Sequence, residues 1–168
     1  MTNLKTQHHT LEPCYDQDSE ILILGSFPSV KSRESGFYYG HPQNRFWRVL
    51  AAVYEDTVPS FNNEKVDFLL RHKIALWDVI EQCDIAGSSD SSIKNAIYND
   101  IPALIKASSI KTIITNGKLA HNLYTRHVQP YTGIPAVNLP STSPANAQFS
   151  LDKLIQHWKV IKQWQTKL

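Results

Sequence analysis

Four short apolar runs divide the chain, and each is rich in Ile, Leu and Val. They occupy residues 21–24, 74–79, 112–115 and 135–139. None of them alternates cleanly between apolar and polar residues, which is the pattern of a strand with one face in water. Runs without that alternation are typical of strands covered on both faces, as in a parallel sheet. The pattern therefore predicts a central, mainly parallel four-stranded sheet.

The segments between these runs carry apolar residues at helical spacing. One stripe begins at Phe46 and ends at Val53, and a shorter stripe follows the third apolar run. A final stripe over residues 151–164 predicts an amphipathic helix. Strands that alternate with helices predict an α/β protein, a three-layer α/β/α sandwich. We expect residues 1–168 to form a single domain, with residues 1–18 poorly ordered or loosely packed.

Composition is that of an ordinary globular protein, with 42% apolar and 19% charged residues and a formal net charge of +2. A domain that binds nucleic acid through charge alone is strongly basic. The small net charge of this chain therefore says little about whether it binds nucleic acid. No apolar run reaches the roughly 20 residues of a membrane helix, and the start of the chain lacks the apolar core of a signal peptide. We therefore expect a cytoplasmic protein without membrane contact.

Cysteine and histidine spacing gives no disulfide or metal signature. Cys14 and Cys83 lie far apart without a CxxC, which argues against a disulfide framework, a thiolate zinc site and a four-cysteine iron–sulfur cluster. His121 and His127 are spaced H-x5-H, unlike the i,i+4 pair of a zinc-binding helix. The chain also lacks a phosphate-binding GxxxxGK[ST] loop and a GxSxG nucleophile elbow. We expect no metal and no cofactor.

Candidate chemistry falls in the loops that follow the apolar runs, because ligands of α/β sheets bind at the carboxyl ends of the strands. The first such loop contains Gly25, Ser26, Phe27 and Ser29. The glycine and Pro28 set its backbone, so its amides could point into a site. The alternative is a plain turn after a strand.

The second candidate segment, residues 38–47, places two aromatic residues before a histidine and a helix start. Tyr38 and Tyr39 could stack on a planar ring, and core packing accounts for at most one of them. His41 either holds this loop by hydrogen bonds or contacts DNA or a base. Asn44 lies at the helix start, where unpaired amides favour an anion or a developing negative charge.

Hydroxyl groups and prolines are concentrated after the fourth run. Pro140, Ser141, Thr142 and Ser143 form a stiff turn whose hydroxyls and amides suit phosphate oxygens. A turn that only caps the last helix is the alternative. Asp78 lies at the end of the second predicted strand. It is either a further candidate for a catalytic carboxylate or a residue that caps the following loop.

Together these motifs resemble those of the uracil-DNA glycosylase superfamily, closest to its hypoxanthine-DNA glycosylase branch. The matching motifs are residues 25–29, 38–47, 115–118 and 139–147, and the likeness covers about residues 21–158. The second motif is also similar to that of mismatch-specific uracil/thymine glycosylases. The resemblance implies the same sandwich fold and a monofunctional enzyme of base excision repair.

The resemblance also implies roles for single residues. Asn44 and Asn116 match asparagines that act on the attacking water or the leaving base. Tyr39 matches the aromatic residue that stacks on the flipped base, beside substrate-binding Gly25, Ser26, Phe27 and His41. Ser29 and residues 140–143 match the segments that contact DNA, and the latter enter the gap left by the extruded nucleotide.

Two departures from the family pattern bear on the substrate. Phe27 stands where mismatch-specific relatives have a water-orienting asparagine, and Leu139 stands where uracil enzymes have a polar group that binds the pyrimidine. Both departures argue against an efficient uracil specialist. Hypoxanthine presents the reverse of adenine's donor and acceptor pattern, so backbone groups near Ser26 and Phe27 could distinguish the two bases.

We therefore expect a DNA glycosylase that removes hypoxanthine. The alternatives are a glycosylase for uracil or mismatched thymine, and a non-catalytic member that binds damaged or single-stranded DNA. The expected partner is double-stranded DNA with a deaminated or mismatched base. We expect a monomer that associates with the nucleoid when it is bound to DNA.

Overall fold

The structure is a computed structural model that describes residues 3–166. The strands are β1 (Lys5–His8), β2 (Ile21–Gly25), β3 (Ile74–Asp78), β4 (Ile80–Ile85), β5 (Lys94–Tyr98), β6 (Thr112–Asn116) and β7 (Ala136–Leu139). The helices are α1 (Val30–Ser35), α2 (Phe46–Val53), α3 (Asn62–Arg71), α4 (Ile101–Lys106), α5 (Lys118–His127), α6 (Gln129–Thr132) and α7 (Leu151–Trp158). Short 3-10 turns cover Asp90–Ser92 and Lys159–Trp164.

The four apolar runs form one parallel sheet, as the sequence predicts. Its strand order is β3-β2-β6-β7, and every neighbouring pair is parallel. Every residue of β2 is buried. Ile21 and Ile23 pack into one apolar cluster and Leu22 and Leu24 into another, so both faces of the strand are covered. This double coverage explains why the run shows no polar alternation.

Helices cover the two faces of this sheet and complete the α/β/α sandwich. Side chains of α2, α3 and α7 belong to the cluster on one face, and side chains of α4 and α5 belong to the cluster on the other. The helices predicted from the stripes at Phe46 and Leu151 are confirmed. The last helix is shorter than its stripe, because the chain tightens into the 3-10 turn after Trp158.

A second sheet, antiparallel and ordered β1-β4-β5, was not predicted from the sequence. The loop expected after the second apolar run contains instead the strand β4 and the 3-10 turn at Asp90–Ser92. The expectation of a loosely packed start is also wrong for residues 3–18. There β1 pairs with β4, and Cys14 is buried and exchanges backbone hydrogen bonds with Leu76. The strand escaped detection because its residues are polar and mostly exposed.

No helix within residues 3–166 is long and apolar enough to cross a membrane.

Candidate active site

A cavity of about 340 Å³ opens at the carboxyl ends of the parallel strands. It is the place where the fold class predicts a ligand. Eleven of the residues predicted as site residues line it: Gly25, Ser26, Phe27, Ser29, Tyr39, His41, Asn44, Asn116, Ser141, Thr142 and Ser143. Pro140 does not line the cavity, and its carbonyl instead accepts a hydrogen bond from Trp158 Nε1 at 3.0 Å.

The two candidate asparagines meet at one threonine hydroxyl. Thr142 Oγ1 donates to Asn44 Oδ1 at 2.9 Å and accepts from Asn116 Nδ2 at 3.1 Å. Thr142 is fully buried. Its hydroxyl was expected to contact phosphate, but the two carboxamides already use it. Thr142 therefore positions the two asparagines.

Backbone donors fix which end of each carboxamide faces the cavity. The Phe46 N–H donates to Asn44 Oδ1 at 2.9 Å, and the Thr142 N–H donates to Asn116 Oδ1 at 3.0 Å. An amide nitrogen could take neither place, since it is a donor and not an acceptor. Asn44 Oδ1 thus accepts two hydrogen bonds, while its NH2 group has no partner within residues 3–166. These two side chains therefore offer amide donors to the cavity rather than carbonyl acceptors.

The two tyrosines of the aromatic loop both line the cavity, but they differ in their contacts. Tyr38 is buried, and its hydroxyl donates to the Glu12 carbonyl at 2.8 Å. Tyr39 lines the cavity and stacks on Phe46, with ring centroids 4.0 Å apart. Its backbone φ of 55° is unusual for a tyrosine, so the fold holds this ring in place against local preference. Burial, and then the charge of Asp78, raises the pKa of Tyr39 and keeps the phenol neutral.

The floor of the cavity is formed by Gly25 and a carboxylate that belongs to a buried pair. A Cβ at position 25 would lie 2.4 Å from Asp78 Oδ1, so glycine is required by space alone. His9 Nε2 donates to Asp78 Oδ2 at 2.8 Å, and both side chains are almost fully buried. Asp78 was expected either to cap the following loop or to be a catalytic carboxylate in reserve; its side chain lines the cavity and pairs with His9 rather than capping the loop. Sequence reasoning missed His9, because it lies in a polar tract without a motif.

The loop after β2 is tied to the second sheet. The carbonyl oxygens of Gly25 and Ser26 accept hydrogen bonds from the backbone N–H groups of the first two residues after β3, at 2.9 and 3.0 Å respectively. Phe27 is buried among apolar residues of β4, and its ring edge meets the His9 ring. Ser29 caps α1 by accepting from the Ser32 N–H at 3.1 Å. The loop is therefore rigid before any ligand binds.

Arg45 fixes the turn that follows β7. Its guanidinium donates to the carbonyls of Ser143 at 2.8 Å and Asn146 at 3.1 Å, and also to the Phe149 carbonyl. Its backbone N–H donates to the Thr142 carbonyl at 3.1 Å. A planar guanidinium with five donors suits such a cluster of acceptors. Arg45 holds the loop in shape and is not free to bind phosphate.

The histidines have local partners. His41 Nδ1 accepts from the Gln43 N–H at 3.1 Å, which holds its own loop, while the side chain lines the cavity. His121 Nδ1 is 3.0 Å from Thr115 Oγ1, and His127 stacks on Tyr98. Within residues 3–166, no group of three or more His, Cys, Asp and Glu side chains is placed to hold a metal ion.

The sequence model of the uracil DNA glycosylase superfamily matches residues 13–165. The chain belongs to this superfamily. It is therefore a DNA glycosylase, and the family expected from the motifs is confirmed. The match includes all the residues that line the cavity, but it begins after β1 and His9.

Two relatives of this glycosylase come from species of Methanosarcina. The chain is 39% identical over 108 residues to a protein of Methanosarcina barkeri named hypoxanthine DNA glycosylase. This match covers 63% of this chain and 68% of the relative. It is 35% identical over 140 residues to a protein of the same name from Methanosarcina acetivorans, covering 82% and 87% of the two chains.

A solved structure shares the fold of this glycosylase. It is a solution NMR structure of a candidate uracil DNA glycosylase from Methanosarcina acetivorans, with a TM-score of 0.78 and 29% sequence identity. The superposition covers 94% of this chain and 99% of that chain. This agreement confirms the predicted sandwich with its parallel four-stranded sheet.

Proposed function

We propose that this DNA glycosylase removes hypoxanthine from deoxyinosine in double-stranded DNA. The observation that carries the proposal is the linkage of Asn44 and Asn116 through Thr142, which presents amide donors to a cavity walled by Tyr39. The names of the two Methanosarcina relatives support the choice of base. The apolar Phe27 and Leu139, both buried, support it against a uracil specialist.

The base enters the cavity by leaving the helix. Extrusion costs a few kcal/mol, and less where the base is already poorly paired. Phe46 covers one face of the Tyr39 ring, which holds the phenol in position for a base to stack on the other face. Stacking on an aromatic ring is worth about 1–3 kcal/mol per base, enough to offset part of the extrusion.

Bond cleavage is dissociative in this proposal. The bond between C1′ and the base nitrogen breaks, and its electron pair departs with the base. Water then adds to C1′, and the proton that it loses ends on the base nitrogen, which gives free hypoxanthine and an abasic sugar. A preorganised donor aimed at the developing negative charge contributes roughly 3–4 kcal/mol in other enzymes. No side chain has to become a covalent nucleophile.

Asn44 acts on the leaving base rather than on the water in this scheme. Its oxygen already accepts from the Phe46 N–H and the Thr142 hydroxyl, so it has little capacity to orient a water molecule. Its NH2 group is free to donate. Asn116 keeps one N–H beyond the bond to Thr142 and supplies a second donor. Neutral amides of this kind are poor general bases, which fits late attack by water.

Ser141 and Ser143 line the rim of the cavity and are proposed to contact the phosphates beside the extruded nucleotide. Arg45 keeps their loop in one conformation, which lowers the entropy lost on binding. All of these groups come from one copy of the chain, and the proposed enzyme acts as a monomer.

The proposal is tested with labelled duplexes that contain inosine, uracil or a G·T mismatch, followed by alkaline cleavage of abasic sites. We expect strand scission on inosine at a single-turnover rate well above those on the other two. Scission mainly on uracil or G·T would reassign the base. Binding to all three duplexes without scission would make the chain a non-catalytic DNA-binding member of its family.

A further inference from the structure

The His9–Asp78 pair lies at the cavity floor and takes no part in the proposed bond cleavage. Both side chains are at least nine-tenths buried, and they are joined by a hydrogen bond of 2.8 Å. A buried carboxylate is costly unless it is paired. Asp78 lies beside Gly25, the residue that ends the central strand β2, and both residues line the cavity.

One oxygen of this carboxylate is unused. Oδ2 accepts from His9, whereas Oδ1 accepts no hydrogen bond from residues 3–166 and lies against the bare Cα of Gly25. The Tyr39 hydroxyl lies over the same glycine and is buried without a hydrogen bond of normal geometry among the described residues, although the Asn116 side chain is near enough to offset part of the rise in its pKa that burial causes. Two polar atoms with unused capacity therefore face the same point of the cavity. Buried polar groups in native proteins are nearly always satisfied, so this point is suited to a polar ligand.

We propose that Asp78 Oδ1 accepts the ring N–H of the flipped base and so selects bases that carry a lactam. Deamination converts an amino-substituted C=N unit into a carbonyl next to a ring N–H. Hypoxanthine therefore offers a donor at N1, where adenine offers an acceptor that a carboxylate repels. This inference rests on the proposed function and names the side chain that reads the base.

His9 is the positioning residue in this scheme. An isolated carboxylate would oppose the negative charge that develops on the departing base. The imidazole N–H offsets part of that charge and fixes the rotation of the carboxyl group, so that Oδ1 faces the base. The His9 ring is itself held by edge contact with Phe27 and by the Tyr38 ring. Its place in the segment before β2 gives that segment a role in substrate choice.

The first test changes the substrate and leaves the protein intact. Wild-type protein is incubated with duplexes that contain deoxyinosine or 1-methyldeoxyinosine, whose N1 carries no proton. We expect excision of the methylated base to be slower by about tenfold or more, which corresponds to one hydrogen bond to a charged group. Equal rates on the two bases would overturn the proposal. Failure on deoxyinosine itself would instead count against the proposed function, and the test is then run with deoxyuridine and its N3-methyl derivative.

The second test uses variants and a duplex without a base. Asp78→Asn replaces one carboxylate oxygen with a donor, and His9→Phe keeps a ring but removes the N–H. Both are expected to slow inosine excision by about tenfold. Both should retain wild-type affinity for a duplex with a tetrahydrofuran abasic analogue, which has no base to read. Equal losses of excision and of abasic-site affinity would show a structural role and overturn the proposal.

Conservative rescue separates positioning from packing. His9→Gln retains a donor at the distance of Nε2 and is expected to recover most of the inosine excision lost in His9→Phe. His8→Phe is the matched control, since His8 is the exposed neighbour in β1. It should excise inosine as wild type does. A His9→Gln variant as slow as His9→Phe would remove His9 from substrate selection.

Discussion

Asn44 and Asn116 reach the cavity from different elements and share one hydrogen-bond partner, the hydroxyl of Thr142. Asn116 ends β6, whereas Asn44 precedes α2. Because the hydroxyl donates to one carboxamide and accepts from the other, it sets the direction of hydrogen bonding across the site. The distance between the two proposed donors therefore depends on Thr142.

Thr142→Val tests this dependence. Valine has the same shape but no hydroxyl, so it leaves Asn44 Oδ1 and Asn116 Nδ2 each one hydrogen bond short. We expect the free energy of unfolding to fall by about 1–3 kcal/mol, the cost of leaving buried polar groups unsatisfied. We also expect slower single-turnover excision, because the carboxamides lose their common anchor. Thr142→Ser, which restores the hydroxyl, should recover both properties; a Thr142→Val variant as stable and as active as wild type would mean that the bridge does not matter.

Asn44→Ala is expected to cut single-turnover excision at least about tenfold, since a donor aimed at developing charge contributes a few kcal/mol elsewhere. The fold should survive, because Asn44 is only partly buried. Asn44→Asp separates the two possible roles of the side chain. It retains the acceptor for the Phe46 N–H but replaces the free NH2 with a negative oxygen. If Asn44→Asp is as slow as Asn44→Ala, the result supports hydrogen-bond donation from Asn44 to the base. If Asn44→Asp is active, Asn44 acts on the attacking water instead.

The parallel sheet and its flanking helices could be predicted because burial on both faces leaves a clear mark on composition. Residues 21–24 are apolar throughout, and so are most residues of the other three strands. The position of the cavity rim could be predicted from the fold class, because the loops at one edge of such a sheet converge. Asn44 and Tyr39 were found through motifs in those loops.

The floor of the site could not be predicted in the same way. β1 and β4 are largely polar edge elements whose pairing depends on backbone hydrogen bonds rather than on an apolar pattern. His9 reaches Asp78 only through that pairing, across most of the first half of the chain. The direction of each carboxamide is likewise set by backbone N–H groups that no sequence pattern reveals.

Tyr39→Ala is expected to weaken engagement of the base by about 1–3 kcal/mol, the usual contribution of one stacked aromatic ring. The measurement is the single-turnover rate of excision at a series of enzyme concentrations. The dependence of this rate on concentration gives the apparent affinity for the inosine duplex. Tyr39→Phe is the matched control. It keeps the ring against Phe46 and removes the hydroxyl beside Gly25, so it should retain the affinity that stacking provides and lose only what that hydroxyl contributes to a bound base. Unchanged kinetics for Tyr39→Ala would leave the ring as packing alone.

The last prediction concerns stability at low pH, far from the cavity. Asp56 accepts hydrogen bonds from His72 at 2.7 Å and from Arg71 at 2.8 and 3.0 Å. These bonds, with that of His72 the largest influence, lower the pKa of Asp56 from 3.8 to about 2. A carboxyl group with a depressed pKa in the folded state stabilises the fold above its unfolded pKa and loses that effect as pH falls toward the folded value.

Asp56→Asn should therefore be less stable than wild type at pH 7, and the difference should shrink as pH falls from about 4 toward 2, the window between the unfolded and folded pKa values. Urea unfolding at a series of pH values measures it. Asp67→Asn is the control, because Asp67 is an exposed carboxylate on α3 with no ion-pair partner within residues 3–166. That variant controls for the loss of one surface carboxylate. A constant deficit for Asp56→Asn down to pH 2 would mean that the hydrogen bonds to the neutral carboxyl, and not its charge, stabilise this corner of the fold.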